Sequence, residues 1–260
     1  MKKSTKIILS IFMLCIVPFL NLFPDTDINP EGQASITTSK VNGFAVVELF
    51  TSEGCSSCPS ADELITKLEK DASGKNVYLL AYHVDYWDRL GWKDKFSFAE
   101  FTSRQRQYFV WMKLKTIYTP QFVVNGTSEF GGSNQNQLYN LVSDGLLKTS
   151  SSTLKLSAQD DKKSLKVTYK TNNSIKNTKL IVALIQKQAN SKIERGENKG
   201  RQLKHVQIVN HFKSFSINKK EDSLIIYKPE NFTTTGWEMI GFIQDESTGT
   251  ITVASKADFQ

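Results

Sequence analysis

The residues of this sequence best equipped for chemistry are two cysteines three positions apart, in Cys55-Ser56-Ser57-Cys58. A pair at this spacing supports thiol–disulfide exchange, although half of a zinc site has the same spacing. The context separates the two. A short apolar run, Ala45–Phe50, suits a buried strand and leads through the turn Thr51-Ser52-Glu53-Gly54 to the first cysteine. Behind the pair, Pro59–Lys70 carries Ala61, Leu64, Ile65 and Leu68 at helical spacing, with Asp62 and Glu63 expected in the first turn. Pro59 suits that turn, where its missing N–H is no loss. The free amides and dipole of a helix start stabilise a thiolate. Cys55 is therefore the expected nucleophile. Cys58, one turn on, is the expected resolving thiol, which attacks the mixed disulfide formed at Cys55.

Other side chains border this pair in the expected fold. His83–Ser97 reads as an insert that leaves the second strand at the same sheet edge as the dithiol, so His83, Asp85 and Asp88 can border the site. With Cys55 and Cys58, His83 makes an alternative three-ligand set for copper or zinc. Against it, His83 sits on a buried-looking strand with no second histidine nearby. Tyr86, Trp87 and Trp92 are expected as a cover over the sheet, with Trp87 and Trp92 also serving as a peptide-binding rim. Gly196-Glu197-Asn198-Lys199-Gly200-Arg201 lacks the Lys-Ser/Thr of a phosphate loop and reads as a turn whose Glu197 and Arg201 hold a hairpin or dock it on the first domain. His205 and His211 have no metal spacing with another ligand. The sequence carries no serine-hydrolase elbow, no paired-carboxylate motif and no nucleic-acid signature, and no cofactor is expected.

The elements that must position the dithiol follow from periodicity. After Ala45–Phe50 and the helix come a strand over Val77–His83, a helix over Ser97–Lys113 and a strand over Phe122–Val124 ending at Asn125-Gly126. A short strand near Ser128–Phe130 and a helix from about Asn134 to Lys148 complete this half. That order calls for a central mixed sheet with helices on both faces. At the Thr/Ser run Thr149–Thr153 the pattern changes. Leu154–Ala158, Leu165–Thr171, Leu180–Gln188, His205–Ile217, Leu224–Lys228, Trp237–Gln244 and Ile251–Ala254 read as strands of an all-β antiparallel sandwich. The expected divisions are 1–23, 24–42 (a polar linker), 43–150 (α/β) and 151–260 (β-sandwich).

Composition excludes a disordered polymer, a collagen and a multispanning membrane protein, since 39% of the 260 residues are hydrophobic and 23% charged. The net charge of +7 resides after residue 150, where 18 basic residues face 11 acidic ones against 15 and 15 before it. Those lysines are scattered among Thr, Asn and Ser, which describes a solvated surface rather than a nucleic-acid or membrane patch. Three lysines in Met1–Lys6 followed by the apolar Ile7–Phe23 form a secretory signal, or an uncleaved anchor at the short limit for spanning a bilayer. Cys15 lies inside that run. The rest of the chain is then exported into oxidising surroundings with two cysteines.

The order strand, C-x-x-C helix, strand, helix, Thr119-Pro120, strand and glycine resembles the thioredoxin superfamily. That resemblance implies a cis bond at Pro120 and places Thr119 and Pro120 on the substrate face. It also implies that Glu48, in the strand leading to the dithiol, takes or gives the proton of the second cysteine. A longer resemblance runs through Val46–Asp62, Tyr82–Asp88, Leu90–Asp94, Arg104-Gln105 with Tyr108, Tyr118–Gln121 and Val124–Gly126, then Arg195–Asn198, Gly200-Arg201 and His205. Across these segments the chain is similar to a secreted bacterial family known as domain of unknown function 1223.

The expected function is a thiol–disulfide oxidoreductase that is periplasmic, secreted or anchored by its N-terminal segment. Its expected partners are exported protein thiols or small thiols and a redox partner. A non-catalytic envelope binding protein with a structural disulfide, and a metal-handling module using the same cysteines, are the alternatives.

Overall fold

In the computed structural model, which describes residues 43–174 and 176–260, strand β1 (Ala45–Thr51) is buried at all seven positions. Burial on both faces explains why its sequence is a continuous apolar run rather than an alternation. Ala45, Val47 and Leu49 enter one core with residues of α1 (Cys58–Asp71) and α3 (Gln135–Leu147). Val46 and Phe50 enter a second core with Phe101 and Tyr108 of α2 (Ala99–Trp111). Helices thus cover both faces, as the element order requires. The expected segments 1–23, with Cys15, and 24–42 lie outside the described residues.

β2 (Val77–His83) pairs parallel with β1, and β3 (Gln121–Val124) pairs antiparallel on its other side, followed by β4 (Ser128–Gly131). Later come β5 (Leu154–Asp161), β6 (Ser164–Thr171), β7 (Thr178–Lys192), β8 (Gln202–Ser216), β9 (Glu221–Tyr227), β10 (Trp237–Asp245), β11 (Ile251–Lys256) and β12 (Asp258–Phe259). Seven of these match the strands read from the sequence after residue 150, and they divide between two sheets. Among the described residues one sheet has the order β11-β10-β7-β8-β2-β1-β3-β4 and the other β12-β5-β6-β9. The change of pattern near residue 150 therefore ends the run of helices and not the sheet.

The join is at β2, whose outer edge would otherwise leave backbone groups unpaired in a buried setting. β8 takes that edge in parallel through Ala81 and Ile208. One parallel pair within the second half, β5 with β12, departs from the expectation that it is wholly antiparallel, and the join of β8 to β2 is parallel as well. Along β7, Ile181, Ala183 and Ile185 face the α2 core while Leu180, Val182 and Leu184 face the four-stranded sheet. Each such buried aliphatic side chain contributes about 1.5–3 kcal/mol relative to exposure. None of the described helices is long and apolar enough to cross a membrane.

Candidate dithiol site

β1 delivers the chain to a tight turn in which the Cys55 N–H donates to the Ser52 carbonyl (3.2 Å) and the Gly54 N–H to Ser52 Oγ (3.1 Å). Cys55 and Cys58 form a disulfide with Cα atoms 5.4 Å apart. α1 begins at Cys58 itself, so Asp62 and Glu63 fall in its second turn and its first turn holds no acidic residue. Ser56 and Ser57 are exposed, whereas Cys55 and Cys58 are only 1% and 0% exposed.

Thr119 and Pro120, joined by a cis bond, are brought to the same sheet edge. Gln121 pairs with Phe50, so Pro120 lies beside the end of β1 from which the dithiol turn departs. The Gln105 amide donates to the Tyr118 carbonyl (2.7 Å) and Gln121 Oε1 (3.0 Å), fixing the chain on both sides of the proline. Trp87 bridges the two parts. Its indole N–H donates to Thr119 Oγ1 (2.8 Å), and its Cβ would stand 3.2 Å from any Cβ placed on Gly54. Position 54 is a close approach that glycine suits. Trp92, also half-buried, donates its indole N–H to Glu53 Oε2 (2.7 Å).

Glu48 is elsewhere. It shares the β1 face of Val46 and Phe50, opposite to α1. Its carboxylate accepts from Arg104 Nε, from Arg104 Nη2 (2.9 Å) and from the Tyr108 hydroxyl. Gln244 closes the network, accepting from Arg104 Nη1 (3.3 Å) and donating to the Tyr108 oxygen (2.9 Å). Glu48 thus compensates a buried guanidinium from the sheet face opposite α1.

A cluster of acids and histidines sits under the dithiol turn instead. Glu53, Asp94, His83 and His205 are each 2% exposed or less. Asp94 accepts from the Glu53 N–H (2.8 Å) and the Phe96 N–H (2.9 Å), and its Oδ2 lies 2.6 Å from His83 Nδ1. The His83 and His205 rings meet edge to face, centroids 4.9 Å apart. His205 lies 3.4 Å from Glu53 Oε1 and 3.5 Å from Asp62 Oδ2. Those are ion-pair distances at which neither ring nitrogen makes an aligned hydrogen bond. Asp62 also accepts from Thr51 Oγ1 (3.1 Å).

Burial opposes the imidazolium of His205, but Asp62 and Glu53 outweigh it and raise its pKa to about 9. Burial likewise pushes the Glu53 carboxyl up, and His205, Ser191 and Trp92 together more than reverse this, leaving it below the ordinary carboxylate value. The protonated His205 therefore favours the folded state. Its contribution is complete below the unfolded value near 6.5 and is lost as pH rises through about 9, a difference of about 3 kcal/mol. Urea denaturation at pH 6 and pH 9.5 is expected to show that loss, and a His205→Gln variant to show little of it. Equal pH dependence in both would remove His205 as its source.

The turn between β7 and β8 clamps the site. Asn198 Nδ2 donates to the carbonyls of Glu53 and Cys55, both at 2.9 Å, and Arg201 Nη1 holds Asn198 Oδ1 (3.0 Å). Glu197 Oε2 accepts from the Ser56 N–H (3.0 Å), so one amide near the α1 start is occupied by a side-chain carboxylate. The expected docking of Glu197 is onto the dithiol turn itself, and Arg201 acts through Asn198. Asn198, Glu53, Asp94 and His205 carried no role in the sequence reading; position within the resembling segments was the signal for Asn198, Glu53, Asp94 and His205. No group of three or more His, Cys, Asp or Glu side chains among the described residues is arranged to hold a metal. Cys55 and Cys58 are bonded to each other and His83 to Asp94, so the alternative ligand set is not assembled.

A family model described as "Protein of unknown function (DUF1223)" matches residues 46–244. No curated protein matches the chain. Among solved structures, the chain is similar to a crystal structure of an Agrobacterium tumefaciens protein, with 24% identity, a TM-score of 0.63 and coverage of 85% of this chain and 95% of that one. That likeness is one of fold. A domain of the outer membrane lipoprotein Omp28 from Porphyromonas gingivalis aligns at 16% identity and a TM-score of 0.26, over 44% of this chain and 93% of that one.

Proposed function

Since the chain belongs to the DUF1223 family, described only as of unknown function, we propose from the site itself that it is a thiol–disulfide oxidoreductase of the cell envelope. The observation that carries this is the Cys55–Cys58 pair opening α1 at the sheet edge that also holds the cis Thr119–Pro120 bond. In this reading residues 43–150 are a thioredoxin-like domain, and strands beyond residue 150 form a sandwich-like domain that shares its sheet.

A substrate thiolate attacks the disulfide at Cys55, and Cys58 leaves as a thiolate. In the reverse direction Cys55 attacks and Cys58 resolves. Thr119 and Pro120 offer backbone groups to an extended substrate, with Trp87 and Trp92 as the rim. Exported protein thiols or small thiols are the substrates, and a second redox protein resets the pair. The N-terminal segment 1–23 directs export, and the chain meets a membrane only through that segment and only if it stays uncleaved.

The test is a Cys58→Ser variant, which keeps the nucleophile and lacks the resolving thiol. It is expected to accumulate mixed disulfides through Cys55, seen as reducible bands on a non-reducing gel and absent from the double serine variant. No such bands would contradict the proposal.

The near-complete burial of both cysteines favours a second reading. There the bond is structural and the protein binds an envelope partner without catalysis. The turn held by Glu197 and Asn198 is the element that must move for a substrate to reach Cys55 in the first reading, and need not move in the second.

A further inference from the structure

Five buried titratable side chains, Glu53, Asp62, His83, Asp94 and His205, gather under the dithiol turn, and redox exchange at Cys55 and Cys58 assigns them no task. Their positions relate them to the resolving sulfur. Asp62 follows Cys58 by four residues on α1, a spacing that puts two side chains on one helix face with Cβ atoms about 5–6 Å apart. On its inner side Asp62 faces His205, and on its outer side it lines a cleft of about 360 Å³ with Pro59, Glu63, Thr66, Arg201 and Lys204. A carboxylate between a buried imidazole and an open cleft is placed to pass protons inward and outward.

Neither nitrogen of His205 has an aligned hydrogen-bond partner, nor does Glu53 Oε1. Such unsatisfied polar atoms are costly in a core and call for an explanation. The groups facing His205 are Glu53 from the turn after β1, Asp62 from α1, and His83 from β2 with Asp94 behind it. Across β7 its pairing partner is Ala189. The nearest charges are thus carboxylates, one of them on the helix that begins at Cys58.

We propose that Glu53, His205 and Asp62 form a proton store that serves Cys58 when the disulfide opens, an inference that rests on the redox reading above. A thiolate attacks Cys55, a new S–S bond forms there, and the electron pair of the old bond departs on Cys58 Sγ. The His205 imidazolium gives its proton through the Asp62 carboxylate to that sulfur, leaving a Cys58 thiol and a neutral imidazole. Water in the cleft returns the proton through Asp62. Glu53 holds the imidazolium in place. His205 acts through Asp62 and is a positioning residue. With a pKa of about 9, it is charged and ready to donate at neutral pH.

The test reads the protein's own disulfide. The oxidised full-length chain is reduced with dithiothreitol from pH 6 to 10.5, its thiols are trapped with a maleimide, and rates are expressed per dithiothreitol thiolate. The wild-type rate is expected to fall about tenfold as pH rises through about 9. A His205→Gln variant with native near-ultraviolet circular dichroism should be about tenfold slower at pH 7 with no step. Asp62→Asn, which keeps the imidazole and breaks the path, is expected to lose the step as well and stands in if His205→Gln does not fold. Retention of the wild-type profile by either folded variant overturns the store. Turnover of a substrate without a pH step sinks the store alone, and a pH step without turnover sinks the redox reading and with it the store's service to catalysis.

Discussion

Changing Cys55 to serine is expected to reduce turnover in an insulin-reduction or scrambled-substrate assay to the uncatalysed rate. That is a loss on the order of 10³-fold or more, as expected when a covalent nucleophile is removed. The variant loses the Cys55–Cys58 bond but keeps the fold in this account, because the turn is also held by bonds that do not use the sulfur. The Ser52 carbonyl accepts from the residue's N–H, and Asn198 donates to its carbonyl. A loss of activity with an unchanged circular dichroism spectrum therefore reports chemistry. Activity that persists in a folded Cys55→Ser protein would remove the dithiol from the mechanism.

The second large effect concerns stability. Glu48→Gln is expected to destabilise the protein by about 3–5 kcal/mol, the usual cost of stripping a buried charge of its partner. Arg104 is 1% exposed and loses its compensating charge, and the Tyr108 hydroxyl loses its anionic acceptor. For a chain of this size that corresponds to a fall in melting temperature of about 6–20 °C. Replacing Glu48 and Arg104 together with methionine is expected to recover part of the loss, since the pair is then absent rather than broken. Where Glu48→Gln folds, its turnover is expected to match the wild type, because the carboxylate lies on the sheet face away from α1. A small stability loss with a large loss of turnover would restore Glu48 to the role the resemblance implied.

The elements that position the dithiol were legible because local periodicity determines them. Ala61, Leu64, Ile65 and Leu68 mark α1, and the runs at Ala45 and Val77 mark β1 and β2. Asn134, whose side chain accepts from the Gln137 N–H (3.1 Å), marks the start of α3. Pairings between distant segments left no such trace. β8 joins β2 through one pair of residues 127 positions apart, Ala81 and Ile208, and nothing in either strand's alternation names its neighbour. Glu48 read as a strand acid near the cysteines, yet its face is decided by register, and its partner Arg104 comes from a helix 56 residues on.

His205 was discounted for want of metal spacing, a criterion blind to a role among carboxylates. Its partners, Glu53 and Asp62, were read as a turn residue and a helix-start acid. They become a charged cluster only when β8 packs beside α1. Asn198 is similar. An amide in a glycine-rich turn has no evident duty until that turn folds over Cys55 and meets two carbonyls.

Catalytic and structural uses of the same bond differ in one thermodynamic quantity, the reduction potential of the Cys55–Cys58 couple. It is measured by equilibrating the full-length chain with glutathione or dithiothreitol buffers and trapping the thiols. The account predicts a value between about −270 and −120 mV, the range of proteins that exchange disulfides. A value below about −300 mV, typical of inert structural bridges, would contradict it.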